Sequence, residues 1–246
     1  MDRWVIGGSF DTVFELDYSV QTEDMRSLYE KAKRDQWNAS RDIAWDTPGS
    51  DDGRVLADEL IDLHGSPLWE RLGQAERVEL NRRVTAWRLS ILVYGEQGAM
   101  LACSQLVDIV SGADQKFFQA TQVMDEARHN EVLERYIETR LGGVHYPMPE
   151  NERFIFDAIL TDPRWYIKTI ALQLIAETFA VSMFRMMGQA AMRRFSSTRS
   201  FSPSRSQRGD PWMSISSSAR TRPSSVPGVS HAMSRVAFHW SRLAFS

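Results

Sequence analysis

In the stretch QVMDEARHNEVLERY, residues 122–136, Glu126 and His129 stand three residues apart, with Asp125 and Arg128 beside them. Positions i and i+3 share one face of a helix, so this carboxylate and imidazole can bind one metal ion together. An isolated Glu-x-x-His is a weak signal, because solvated, salt-bridged helices often carry one. The other candidate ligands raise its weight. Glu96 and Glu177 are each a lone carboxylate on an otherwise largely apolar stripe. A carboxylate buried on such a stripe is costly unless it is paired or bound to a cation. Oxygen ligands with a minority of imidazole suit iron or manganese better than a thiolate-seeking metal.

Three long helices must position these groups. The first runs from about Gln74 to Gly112 with the stripe Leu89, Leu92, Glu96, Met100, Cys103, Val107, Val110. After the turn SGAD, the second runs from about Asp114 to Leu141 and stops at Gly142-Gly143. Its stripe is Phe118, Gln122, Glu126, His129, Leu133, Ile137. The third opens at Asp162-Pro163, with Asp as cap and Pro at the first position, and carries Ile170, Leu174, Glu177, Val181, Phe184 and Met187. Glu96 lies 15 residues before Ser111 and Glu126 lies 12 after Asp114. At about 1.5 Å per residue these are roughly 22 and 18 Å from the hairpin end, so the two carboxylates should face each other. Glu177, 14 residues into its own helix, is about 21 Å deep by the same rise.

Shorter helices are expected elsewhere. Thr22 can cap a helix through EDMRSLYEKAKRDQWN, with Glu23 and Asp24 in its first turn. Residues 47–53 read as a loop, 55–63 as a short helix, Ser66-Pro67 as the start of another, and 150–160 as a further one. Nothing in residues 20–190 reads as a strand. The expected fold is all-α, an antiparallel helical bundle, with residues 1–19 as an N-terminal extension.

Composition is that of an ordinary soluble protein, with 43% hydrophobic and 25% charged residues in 246. One cysteine, Cys103, excludes a disulfide framework and favours a reducing, cytoplasmic setting. The start, MDRWVIGGSFDTVFELDYS, carries acids and no long apolar run, so a secretory signal is not expected. The most apolar segment, TIALQLIAETFAVSMF, has Glu177 in its middle and falls short of the roughly 20 residues a span needs. No membrane association is expected. No phosphate loop, dinucleotide fingerprint or nucleophile elbow is present.

The spacing Glu96, then Glu126-Ala-Arg-His129, then Glu177 resembles the ferritin-like di-iron carboxylate superfamily. In that group two helices each give one Glu and two others each give a Glu-x-x-His. The DEARH form is similar to the oxygen-activating branch, which holds di-iron oxygenases and ribonucleotide reductase small-subunit-like oxidases. LYEKAKRDQWNASRDIAW, residues 28–45, also resembles the N-terminal region of that branch. The resemblance covers about residues 20–190. It implies Glu96, Glu126, His129 and Glu177 as metal ligands, with Asp125 and Arg128 orienting His129 or its partner. It further implies iron (or manganese) as cofactor, dioxygen and a small organic substrate, a separate electron-donor protein, and a homodimer as one arrangement. The alternatives are metal storage without substrate oxidation, or an inactive fragment; a cavity beside Glu96 and Glu177 would favour the oxygenase.

Tyr94 and Cys103 read as packed core residues, and His64 and His145 as loop residues outside the site. Trp4, Trp37, Trp45, Trp69, Trp87 and Trp165 read mostly as packing. Gly95 and Gly98 flank Glu96 and invite close helix approach or substrate access, since glycine in a helix costs up to about 1 kcal/mol.

One part of the family pattern is missing. A second Glu-x-x-His should follow roughly thirty residues after Glu177, near Ser206-Gln207-Arg208-Gly209, and no Glu occurs after Glu177. His231 and His239 have no Glu three residues before them. Residues 191–246 hold 16 Ser, nine Arg, no Lys and one acid, a net of +8, against −11 for residues 1–190. This segment is expected to be largely disordered. Its arginines are dispersed without interleaved aromatics, so a nucleic-acid partner is not expected. The composition fits an out-of-frame reading of a GC-rich gene. Resequencing the gene and translating the other two frames is expected to reveal a Glu-x-x-His. Its absence from both frames would show the tail to be genuine.

Overall fold

The computed structural model describes residues 5–43, 45–46, 53–176, 178, 180 and 182. Glu177, Trp4, residues 47–52, most of the expected third helix beyond Ala176 and residues 191–246 lie outside the described residues. The described chain is all-α, a helical bundle, and contains no strand.

Its frame is a hairpin of two long helices, α4 (Gln74–Ile109) and α5 (Ala113–Arg140). Against it pack α1 (Glu23–Arg34), α2 (Ala39–Asp42), α3 (Pro67–Arg71), α6 (Glu150–Thr161) and α7 (Trp165–Thr169). The α4–α5 contact is by far the most extensive among the described residues. The turn between the helices relies on Gly112 at φ +91°, a conformation glycine accepts readily. The Gly112 N–H donates to Glu15 Oε2 at 2.9 Å. At the far end, Gly142 and Gly143 also take positive φ, and the Gly143 N–H returns to the Ile137 carbonyl at 3.1 Å.

The sequence-derived stripe of α5 is inside at all six positions, Phe118, Gln122, Glu126, His129, Leu133 and Ile137. On α4, Leu89, Leu92, Glu96 and Cys103 are buried, as is Val110 just past its end, while Met100 and Val107 are partly buried; the buried face widens through Ala99, Ala102 and Leu106. Leu89, Leu92, Leu133 and Ile137 join Trp37, Tyr136 and Ala180 in the main core. A second cluster packs Ala99 and Ala102 against Phe156, Ile159, Leu160 and Leu172.

Several boundaries differ from the sequence reading. Helix α1 ends at Arg34 rather than near Asn38, because Asn38 starts α2: its Oδ1 accepts the Ser40 and Arg41 N–H groups, each at 3.0 Å. The Thr22 side chain makes no cap. Instead Asp114, at the start of α5, accepts the Gln21 and Thr22 N–H groups at 2.8 and 3.1 Å and pairs with Arg26. Residues 55–63 form only a single 3₁₀ turn, Asp58–Leu60. Buried Asn81 holds this stretch instead, accepting from the Val55 and Leu56 N–H groups. Ser66 caps α3 as expected, accepting the Trp69 N–H at 3.2 Å.

The third long helix starts later than Pro163. Asp162 accepts the Arg164 N–H at 2.8 Å and pairs with the Arg164 guanidinium, which holds Arg164 extended, so regular helix begins at Trp165. From Ile170 to Ala176 the chain is a π-helix. Bonding from i to i+5 turns the faces away from a 3.6-residue period. Ile170, expected inside, is therefore 48% exposed, while Leu172 is buried.

Gly98 has a packing reason. A Cβ there would lie 2.0 Å from Phe156 Cε1, so glycine lets the ring rest on the α4 backbone. Gly98→Ala should destabilise the chain by about 1–3 kcal/mol of overpacking, partly offset by up to about 1 kcal/mol of helix propensity. In a Phe156→Ala background the same change should be neutral or stabilising. Urea unfolding of the two pairs measures this, and equal effects in both backgrounds would count against the contact.

Candidate metal centre

Glu96 lies midway along α4, and Glu126 and His129 lie one turn apart on α5. The hairpin sets them against each other, as equal depth from the turn requires. His129 Nδ1 is 3.0 Å from Glu126 Oε2 and 3.2 Å from Glu96 Oε2. One ligand atom from each residue lies within 4.8 Å of the other two. The three are 3%, 3% and 1% exposed. The imidazole nitrogen that faces both carboxylates is Nδ1, the atom available to a cation in that space.

The electrostatics match a cation site. Burial pushes the Glu126 carboxyl up to about 8, the hydrogen bond with His129 pulls against it, and the nearby Glu96 charge adds to the rise. Two carboxylates in a dry interior with one shared imidazole lack positive charge. A divalent ion would supply it, and two oxygens with one nitrogen suit iron or manganese. The residues present therefore fit the metal that their spacing implies.

Asp125 and Arg128 form a buried ion pair on the same helix. Arg128 also donates to Gln36 Oε1 and, at 3.2 Å, to the Trp37 carbonyl. Its guanidinium carbon lies 5.6 Å from the centre of the Trp37 ring. Trp37 in turn stacks on the His129 ring, with centroids 6.4 Å apart and planes 29° from parallel. Burial draws the Arg128 guanidinium below its ordinary value. Contacts thus run from Asp125 through Arg128 and Trp37 to the His129 ring, and Trp37 reads from the sequence only as packing. Trp37 is 91 residues from Arg128, so no helical spacing ties it to the site. Its place inside the family-like stretch 28–45 was the available signal.

The remaining sequence candidates lie elsewhere. Glu177 is outside the described residues. Tyr94 donates to the Tyr146 carbonyl at 3.0 Å, a structural bond. His145 is exposed beside Glu138 and Glu134, and His64 is exposed. Cys103 is buried. A surface cleft of about 540 Å³ sits at the turn end of the hairpin, lined by residues such as Phe10, Tyr18, Gln105 and Phe117. None of the three converging ligands lines it. No helix among the described residues is long and apolar enough to cross a membrane.

A carboxyl whose folded value lies above its ordinary 4.5 favours folding in its neutral form. That contribution is complete below about pH 4.5 and is lost as pH rises through about 8. The Tm of chelator-treated protein, followed by circular dichroism, should therefore fall across this interval. Glu126→Gln should flatten the fall, and an unchanged slope in that variant would assign it to other groups.

A family model described as P-aminobenzoate N-oxygenase AurF matches residues 19–194, well over half of the chain. No curated protein and no solved structure shows a significant match.

Proposed function

The chain belongs to the AurF family of ferritin-like di-iron oxygenases, and from that premise we propose that its site is a non-haem iron centre descended from an oxygen-activating enzyme. The observation that carries this reading is the buried convergence of Glu96, Glu126 and His129. In the proposal these three residues hold metal, Glu177 joins them from the third helix, and residues 20–190 are the metal-binding body. Bound iron would supply dioxygen activation. The family description names an aromatic amine acid as substrate, so a small aromatic amine is the substrate class we assign. Electrons come from a separate donor protein, because the chain carries no flavin or nicotinamide motif. A reducing compartment such as the cytoplasm suits both ferrous iron and the lone Cys103.

This chain's own residues have definable tasks. Glu96 and Glu126 neutralise the cation, and Glu126 must give up its proton to do so. His129 presents Nδ1, and Trp37 against its ring limits imidazole rotation. Asp125 holds Arg128, and Arg128 holds Trp37 by its carbonyl and its face.

We further propose that activity is impaired. No Glu follows Glu177, so the second Glu-x-x-His is missing and only four of six expected protein ligands are supplied. Purified protein should bind well under two irons per chain and turn over 4-aminobenzoate poorly. Two tightly held irons would overturn the impaired reading. Glu126→Ala and His129→Ala should each abolish the remaining metal, measured by elemental analysis after desalting. Retained metal in both variants would refute the ligand assignment.

A further inference from the structure

Each of the three converging ligands is at most 3% exposed, so a cation must cross the protein to reach them. On the His129 side, the way is closed by the Trp37 ring and by the Arg128 guanidinium over it. A cation approaching there meets a like charge.

The outer face of α4 differs. Up to Tyr94 it is covered by the loop that joins α5 to α6. Tyr146 anchors that loop, its N–H donating to Ser90 Oγ at 3.1 Å and its carbonyl accepting from Tyr94 at 3.0 Å. One turn onward the Phe156 ring presses on Gly98. Between these two covers lies Gly95, next in sequence to Glu96 and partly exposed. A Cβ at Gly95 would meet a single atom within 4 Å, Glu152 Oε1 at 3.8 Å. The other Glu152 oxygen, Oε2, is buried without a hydrogen-bond partner among the described residues. The carboxyl is half-buried, and burial pushes it up to about 7. A partly exposed carboxylate with one oxygen buried and short of a partner is a place for a divalent ion to shed water.

Resting on the metal-centre reading above, we propose that Glu152, over the gap left by Gly95, is the entry ligand that takes a divalent cation from solvent and passes it to Glu96. Glu152 is then a positioning residue for loading, with no part in holding the ion at equilibrium. The glycine keeps the gap open, and Phe156 on Gly98 limits it to one side.

Cobalt(II) association with chelator-treated full-length protein, followed by stopped-flow absorbance, tests this directly. Glu152→Gln should slow association by about tenfold, the lower end of what local charge adds to an on-rate, with equilibrium affinity unchanged. Gly95→Ala places a methyl at ordinary contact distance, so the fold is kept and loading should slow in the same direction. Glu150→Gln, an exposed acid in the same first turn of α6, is the control for general charge and should leave the rate unchanged. Equal rates for wild type and Glu152→Gln would overturn the proposal, as would equal slowing by Glu150→Gln. A drop in equilibrium affinity in Glu152→Gln would also overturn it, by making Glu152 a resident ligand. Failure of the wild type to bind cobalt at all would refute the metal-centre reading itself, a result distinct from all of these.

Discussion

Two carboxylates share one imidazole in the dry interior of a helical hairpin, and much of the surrounding structure answers to that constraint. Glu96 and Glu126 would repel if both were charged, and water is excluded from both. His129 Nδ1 lies within hydrogen-bonding distance of each. Such an arrangement is unfavourable for an empty core and favourable around a divalent ion. Natural chains retain such groups where they have a use for them.

Holding that arrangement requires rigid supports. Glu126 and His129 are one turn apart on a helix of 28 residues, so their relative position is set by backbone geometry. Glu96 comes from a partner helix whose register depends on the turn at Gly112. The carboxylate of Glu15 and the Asp114 contacts to Gln21, Thr22 and Arg26 secure that turn. The N-terminal segment thus clamps the hairpin at one end, while Gly142 and Gly143 end α5 at the other. On the far side of His129, the sequence Asp125, Arg128, Trp37 builds a packed stop from an ion pair, a cation over a ring and a ring over a ring. Truncating any one member leaves the next without its support.

The family assignment and the chain's own composition pull in different directions. The AurF match ends at residue 194, close to where Lys and Glu vanish and Arg and Ser take over. The hairpin of α4 and α5 is intact, and Glu96, Glu126 and His129 converge within it. What the lineage expects from a later helix has no residues to supply it in this sequence. On the function proposed above, such a set would bind fewer ions more weakly, since each lost carboxylate removes both a bond and a neutralising charge. Structural competence of the body and catalytic competence of the chain are therefore separate matters here.

The helical frame and the convergence of Glu96 with Glu126 and His129 were legible in the sequence because both follow from short-range periodicity. All six positions of the α5 stripe are buried, and counting residues from the turn placed Glu96 opposite Glu126. The Gly142-Gly143 stop was legible for a local reason, the positive φ that ends a helix. Long-range contacts were not. Trp37 on His129, Asp114 under the start of α1 and Phe156 on Gly98 join residues tens of positions apart, and no period in the chain connects them. The π-helical Ile170–Ala176 also escaped, since a 3.6-residue stripe cannot show where bonding shifts to i+5. Sequence alone thus determined which side chains share a helix face, because that depends on backbone geometry. Tertiary structure decided what presses on that face, because packing depends on how distant segments fill the space between helices.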